Sequence, residues 1–177
     1  MNYITRRIGD RRQLAVEFEV DLDQPPARDV WGCLWLWAGG RCVGNSHELE
    51  IVGYGLSGLQ QAGLGIREQP SFLSSMPPSE ALDLVMWAIY GEDDAQREEM
   101  VKDRRSLESF EVLPGSMGPY GDDWEAILIG DGSSERFVFR HAPGPTHEVR
   151  WGQGTFNRVI AEAREVFRSF DWRVSGQ

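Results

Sequence analysis

The sequence predicts an α+β fold, in which two or three helices pack on a mainly antiparallel sheet. Apolar and charged residues alternate over 14–22 with the period of a half-buried strand. Strand and helix signals do not alternate regularly along the chain, which argues against a doubly wound parallel sheet. The last helix signal, over 155–170, carries one continuous apolar stripe, so we expect this helix to pack across one face of the sheet.

The length and charge of the chain limit the functions it can perform. Its 177 residues fit a single domain, 1–177, and 41% hydrophobic residues are enough to fill one core. A formal net charge of −10 argues against a nucleic-acid partner, which requires clustered Lys and Arg, and favours a basic partner. No apolar stretch approaches the roughly 20 residues of a membrane span, and no signal-peptide pattern is visible. A cytoplasmic protein without a membrane partner is expected.

Three strands are expected near the N-terminus. The first covers 14–22, the second covers 30–38, and the third begins at Arg41. Gly39 and Gly40 predict a two-residue hairpin turn between the second and third strands, because such turns need residues that tolerate positive φ. This turn fixes the register of the two strands, and it sets Leu36 opposite Val43.

The same register separates the two cysteines. It places Cys42 opposite Trp37, four strand residues away from Cys33. The separation is roughly 13 Å at the usual rise of a strand, whereas a disulfide tolerates a Cα separation of only about 7 Å. We therefore expect both cysteines to be reduced and buried.

The middle of the chain predicts helices. Residues 53–65 predict a short, weak helix that includes a GxGxxG pattern; we interpret this pattern as a glycine-rich turn, because its context does not suit a dinucleotide site. A clearer helix begins with Ser79 as its cap and continues through 82–89 with apolar residues at helical spacing. Residues 92–105 are dense in charge and form either a solvated helix or a mobile loop.

The last third of the chain predicts a short strand at 110–113, a hairpin and a helix. Strands at 124–129 and 136–140 are joined around Asp131-Gly132, a hairpin signal. The two prolines and three glycines of 141–154 predict a loop. Thr155 is the expected cap of the final helix. The apolar residues of that helix share one face: Phe156, Val159, Ile160, Ala163, Phe167 and Phe170.

The histidines and short motifs give no catalytic assignment. His141 and His147 flank a Pro-Gly-Pro loop, but spacing on an irregular loop says little about metal ligation. No GxSxG, HExxH or P-loop pattern is present. We expect no cofactor, no metal and no catalysis. The enzymatic alternative is a small hydrolase, in which one of these histidines meets carboxylates in a cleft.

The second strand carries an unusual aromatic face. Trp31, Cys33, Trp35 and Trp37 point one way, and Leu34 and Leu36 point the other. If the leucines join the apolar face of the first strand in the core, the tryptophans adjoin the acidic side chains of that strand. Aromatic rings beside carboxylates suit a partner rich in Arg and Lys. Alternatively, helices cover the tryptophans as a second core layer, or the rings line the pocket of a ligand-binding module.

The candidate partner-binding residues belong to this face and to the charged run that follows the second helix. The run is included because it has no evident structural role. The candidates are Glu17, Glu19, Asp21, Trp35, Trp37, Glu92, Asp93, Asp94, Glu98 and Glu99.

The N-terminal strands resemble the immunity protein 42 family. Residues 14–20 match its charged, alternating first strand, and 31–37 match its aromatic-rich strand, followed by the Gly39-Gly40 turn and a Val-Gly pair. Residues 156–163 are similar to the C-terminal end of the family. The resemblance implies a bacterial polymorphic-toxin setting, in which a cytoplasmic immunity protein binds a cognate toxin domain and blocks it by occlusion. The family defines no catalytic residues.

Overall fold

The α+β class is confirmed, although the strands form two sheets instead of one. The computed structural model describes residues 3–23, 30–44, 50–65, 72–92, 94, 97–98, 107, 112 and 123–170. Within these residues both sheets are antiparallel, and the helices pack on their faces. The predicted strand at 110–113 lies outside them except for Val112, and so does most of 92–105. The single domain stays a prediction.

The first sheet is built from the N-terminal strands. Its order is β1 (Tyr3–Gly9), β2 (Leu14–Asp21), β3 (Trp31–Ala38) and β4 (Arg41–Val43), and β5 (Glu50–Ile51) also pairs with β3. Strand β1 was not predicted. Among the described strands it pairs with β2 alone, and most of its side chains are exposed, so its sequence lacks the apolar alternation that marks a half-buried strand.

The predicted register of the first sheet is confirmed. Gly39 and Gly40 both have positive φ, as a two-residue turn requires, and Leu36 lies opposite Val43. Cys42 lies opposite Trp37 in the same hairpin. Both Cys33 and Cys42 are half-buried, so the prediction of full burial was wrong.

The second sheet contains β6 (Trp124–Gly130), β7 (Ser134–His141) and β8 (His147–Gly152). The hairpin of β6 and β7 is confirmed, whereas the prediction of a loop over 141–154 was wrong, because 147–152 form β8. The turn residues of that segment end at position 146, and the backbone then pairs with β7 from Phe139 to Ser134.

The helices are α1 (Val52–Gly65), α2 (Phe72–Ser75), α3 (Pro78–Tyr90) and α4 (Thr155–Arg168). The GxGxxG pattern lies inside α1, so it forms neither a phosphate-binding loop nor the turn that we expected. Ser79 does not cap α3, which begins at Pro78 after Pro77. Thr155 does not cap α4 either, because Gly154, in the left-handed region, occupies that position.

Two clusters of buried side chains hold the layers together. The larger joins one face of the first sheet to α1, α4 and one face of the second sheet. We call this face of the first sheet the Leu/Val face: Val16, Val20, Leu34 and Leu36. The smaller lies between α3 and the opposite face of the second sheet. Helix α4 therefore packs across the first sheet, as predicted, with Phe167 5.7 Å from Phe18 between ring centres. Across the described residues, no helix combines the length and apolarity needed to cross a membrane.

Candidate functional site

One face of the first sheet brings the predicted aromatic and acidic side chains together. We call it the tryptophan face: Trp31, Trp35, Trp37, Glu17, Glu19 and Asp21. Glu17 lies opposite Trp35, and Glu19 opposite Cys33, so the predicted match of the two strands is confirmed. Helices α1 and α4 pack on the other face of the sheet, which leaves Trp31 49% exposed. The alternative, in which these helices cover the tryptophans, is therefore wrong for α1 and α4.

At one end of the tryptophan face, an arginine of the same chain contacts both an aromatic ring and a carboxylate of the face. The guanidinium of Arg11 lies 4.0 Å from the ring centre of Trp37. Its Nε donates to the Glu17 carboxylate at 2.9 Å, and the same carboxylate accepts a second, very short contact from Nη2. The cation–π position that we expected a partner to occupy on Trp37 is thus filled from within the chain.

The other end of the face is more open. Tyr3 of β1 lies opposite Asp21 and is 55% exposed. Val20 lies opposite Gly32, so one step along the register sets Asp21 beside Trp31. This end therefore shows two exposed aromatic rings beside a half-buried carboxylate. Sequence reasoning missed Tyr3 because it missed β1, although the β-branched Ile4, Thr5 and Ile8 were a usable signal.

Glu19 completes this end of the face. Its carboxylate accepts a hydrogen bond from the Thr5 hydroxyl at 3.0 Å, which holds it in one orientation. Carboxylates that are fixed in this way lose little side-chain freedom when a partner binds.

The charged run belongs to a different part of the molecule. Glu92 accepts a hydrogen bond at its backbone carbonyl from Trp87 Nε1 at 3.0 Å, and Asp94 pairs with Arg97 at 3.6 Å. Helix α3, which carries Trp87, packs on the second sheet, whereas the tryptophan face belongs to the first. Glu98 is exposed. Asp93 and Glu99 lie outside the described residues.

A buried carboxylate joins the second sheet to α4. Glu135 is 1% exposed and accepts hydrogen bonds from Trp151 Nε1 at 2.8 Å, Gly154 N at 2.7 Å and Phe156 N at 2.8 Å. The carboxylate thus satisfies backbone N–H groups at the start of the helix, where a negative charge also suits the helix dipole. It takes the place of the local cap that we expected at Thr155.

An arginine joins the same sheet to α2. Arg136 is 3% exposed and donates to the backbone carbonyl of Leu73 at 3.1 Å and to Glu148 at 3.0 Å. Burial alone would raise the pKa of Glu148, but hydrogen bonds from Arg136 and Arg150 lower it below its ordinary value. The charged side chains of this sheet therefore serve mainly to hold helices in place.

A groove of about 440 Å³ lies between β4 and the second sheet. We call it the inter-sheet groove, and it is lined by Arg41, Cys42, Trp124, Phe139, His141, Gly144, Pro145 and His147. It borders the tryptophan face, because Cys42 lies opposite Trp37.

The groove bears on the hydrolase alternative. His141 Nε2 lies 3.8 Å from Asp123 Oδ2, but these side chains are 56% and 63% exposed, a loose surface pair. Burial raises the pKa of the Cys42 thiol to about 11, so this thiol is not ionised at neutral pH. The described lining therefore offers no activated nucleophile. Within the described ranges, no group of three or more His, Cys, Asp or Glu side chains is placed to hold a metal ion.

Fold and site together define a two-sheet α+β protein whose distinctive feature is a fixed surface of aromatic and charged side chains. The model of the immunity protein 42 family matches residues 3–166, and the chain belongs to this family. It is therefore an immunity protein, and the resemblance of its strands to that family is confirmed.

The fold is also similar to a solved structure. The crystal structure of CdiI from Burkholderia dolosa superimposes with a TM-score of 0.69 at 14% identity, over 91% of this chain and 99% of that chain. At this identity the likeness shows the shared fold alone. A comparison with curated proteins finds no match.

Proposed function

We propose that this immunity protein binds its cognate toxin domain in the cytoplasm and neutralises it by occlusion, without catalysis, through the open end of the tryptophan face. The observation that carries the proposal is the group of exposed Tyr3 and Trp31 around Asp21 on a hydrogen-bonded sheet. Binding energy at interfaces concentrates in a few aromatic and charged anchors of this kind. A rigid sheet presents them with little ordering cost.

A basic partner surface is favoured at this end. Glu17 is already matched by Arg11, whereas Glu19 accepts a hydrogen bond from the Thr5 hydroxyl and Asp21 accepts one from the backbone N–H of Asp23. The net charge of −10 steers a basic toxin domain towards the protein, and the two carboxylates then offer hydrogen-bonded ion pairs to its Arg or Lys side chains.

The charged run contributes in a different way. Since Glu92, Asp94 and Glu98 belong to the segment after α3, they act in long-range steering and outside the central contact. Trp35 and Trp37 are half-buried, and Arg11 lies over the ring of Trp37, so both support the shape of the face and are weaker anchors than Trp31.

The test uses the cognate toxin domain. Trp31→Ala and Asp21→Lys should each weaken binding at least about tenfold, and they should abolish protection on co-expression. Tyr54→Ala is the matched control, because Tyr54 on α1 is 63% exposed but lies away from the face. Thermal unfolding followed by circular dichroism checks that each variant folds. Folded Trp31 and Asp21 variants that protect cells fully would place the binding surface elsewhere.

A further inference from the structure

The inter-sheet groove collects basic types of side chain on an acidic protein. Its described lining includes one guanidinium and two imidazoles, from Arg41, His141 and His147. Arg41 is exposed, and within the part of the chain that the structure describes no carboxylate pairs with it. The carboxylate of Asp123 lies 3.8 Å from His141. A chain with a net charge of −10 thus gathers nitrogen donors at one concave position.

The walls of the groove are aromatic, and both imidazoles contact them. The ring of His141 meets Trp124 edge-on, with 5.1 Å between centres, and that of His147 packs on Phe139 at 5.5 Å. The backbone N–H of Gly144 donates to the carbonyl of His141 at 2.6 Å, which tightens the loop between the histidines. The site therefore combines N–H donors, a charged guanidinium and apolar surface.

We propose that the groove binds a carboxylate carried on an apolar group, and that in the complex its occupant is an acidic side chain of the toxin domain. This inference rests on the proposed function. It adds a second contact in which the charges are reversed, with the positive group on the immunity protein and the negative group on the toxin domain. Guanidinium and imidazole N–H groups suit a carboxylate, and the rings of Trp124 and Phe139 suit its apolar stem. A volume of about 440 Å³ accommodates such a side chain together with a neighbouring one.

The position of the groove gives this contact a role in specificity. Because Cys42 lies opposite Trp37, the groove adjoins the tryptophan face, and one partner can span both. A basic patch on the toxin domain meets Asp21, while an acidic side chain enters the groove. A toxin domain that has the basic patch but no acidic side chain at the groove makes only one of the two contacts. The arrangement of positive and negative charges therefore discriminates between partners.

The first experiment tests the chemistry of the groove without the toxin. Phenylacetate is titrated into the purified protein, and the imidazole proton signals of His141 and His147 are followed by NMR. Both signals should shift saturably, and phenylacetamide, which has the same shape without the charge, should bind at least about tenfold more weakly. Arg41→Gln should cause a similar loss. Equal binding of the amide, absence of a shift, or tighter binding of inorganic phosphate would each overturn the proposal.

The second experiment separates the groove from the tryptophan face. Affinity for the toxin domain is measured for Arg41→Gln, for Trp31→Ala and for the control Arg158→Gln, an exposed arginine on α4. Arg41→Gln should weaken binding about tenfold, and the control should leave it unchanged. If Arg41→Gln binds as tightly as the wild type while Trp31→Ala does not, the groove proposal fails and the proposed function stands. If Trp31→Ala binds normally and Arg41→Gln does not, the proposed tryptophan-face contact fails instead.

Discussion

The two sheets use their charged side chains in opposite ways. In the first sheet, Arg11 and Glu17 pair on an outer face, and Asp21 lies beside exposed rings at the other end of that face. In the second sheet, Glu135 and Arg136 are almost fully buried and fasten α4 and α2 to the strands. Charged residues on a strand therefore do not by themselves mark a binding surface. In this protein the first sheet is suited to recognition and the second to stability.

Removal of the buried carboxylate of Glu135 should lower the free energy of unfolding more than any other change considered below. Glu135→Ala removes the acceptor of three hydrogen bonds and leaves the start of α4 without its cap, so we expect it to lower the free energy of unfolding by about 3–5 kcal/mol. Urea denaturation gives the value. Glu135→Gln keeps an acceptor oxygen and serves as the control, with a smaller loss. A loss below about 1 kcal/mol for the alanine variant would contradict the role of the second sheet as a stabilising anchor.

A smaller effect is expected from the arginine of the first sheet. Arg11→Ala removes a half-exposed ion pair with Glu17 and the contact with Trp37, which together are worth about 1 kcal/mol. The same denaturation experiment tests this value. Because the substitution also uncovers the Glu17 carboxylate, association with a basic toxin domain should become faster, as stopped-flow measurements at low salt would show. A destabilisation as large as that of Glu135→Ala would erase the contrast between the sheets.

The smallest expected effect concerns pH. The pKa of Glu148 is lowered in the folded protein, so its ion pairs contribute stability above the ordinary Glu pKa of about 4.3. This contribution is lost as the pH falls through the lowered pKa. Unfolding free energies measured between neutral and acidic pH should therefore decline less steeply for Glu148→Gln than for the wild type. Identical slopes would show that the ionised form of Glu148 gains nothing from Arg136 on folding.

Local patterns predicted the centre of the first sheet, and long-range contacts explain most of what they missed. The alternation over β2 and the Gly39-Gly40 turn fixed the strand register, because both depend on neighbouring residues. The contact of Glu135 with α4 joins residues up to 21 positions apart, and no local pattern signals it. Strand β8 was missed because Pro143, Gly144 and Pro145, which favour a turn, come just before it.

The candidate site was predicted in part for the same reason. The adjacency of Glu17 and Trp35 followed from the register. The contacts of Arg11 with Glu17 and Trp37 did not follow from the register, because they depend on how the turn between β1 and β2 folds back over the sheet. The Tyr3 side of the face depended on an edge strand that has no apolar alternation. Charge density alone suggested the run after α3, of which Glu92 is bonded to Trp87 on α3 through its backbone carbonyl.

The attachment of α4 to Glu135 has a consequence for synthesis on the ribosome. The helix supplies Phe156, Val159 and Ile160 to the larger core, yet its residues leave the ribosome after those of every described strand. Until α4 emerges, the part of the Leu/Val face that this helix covers stays exposed, which favours aggregation of the nascent chain. The first sheet, which carries the surface that we propose for recognition, therefore completes its packing only after α4 has been translated.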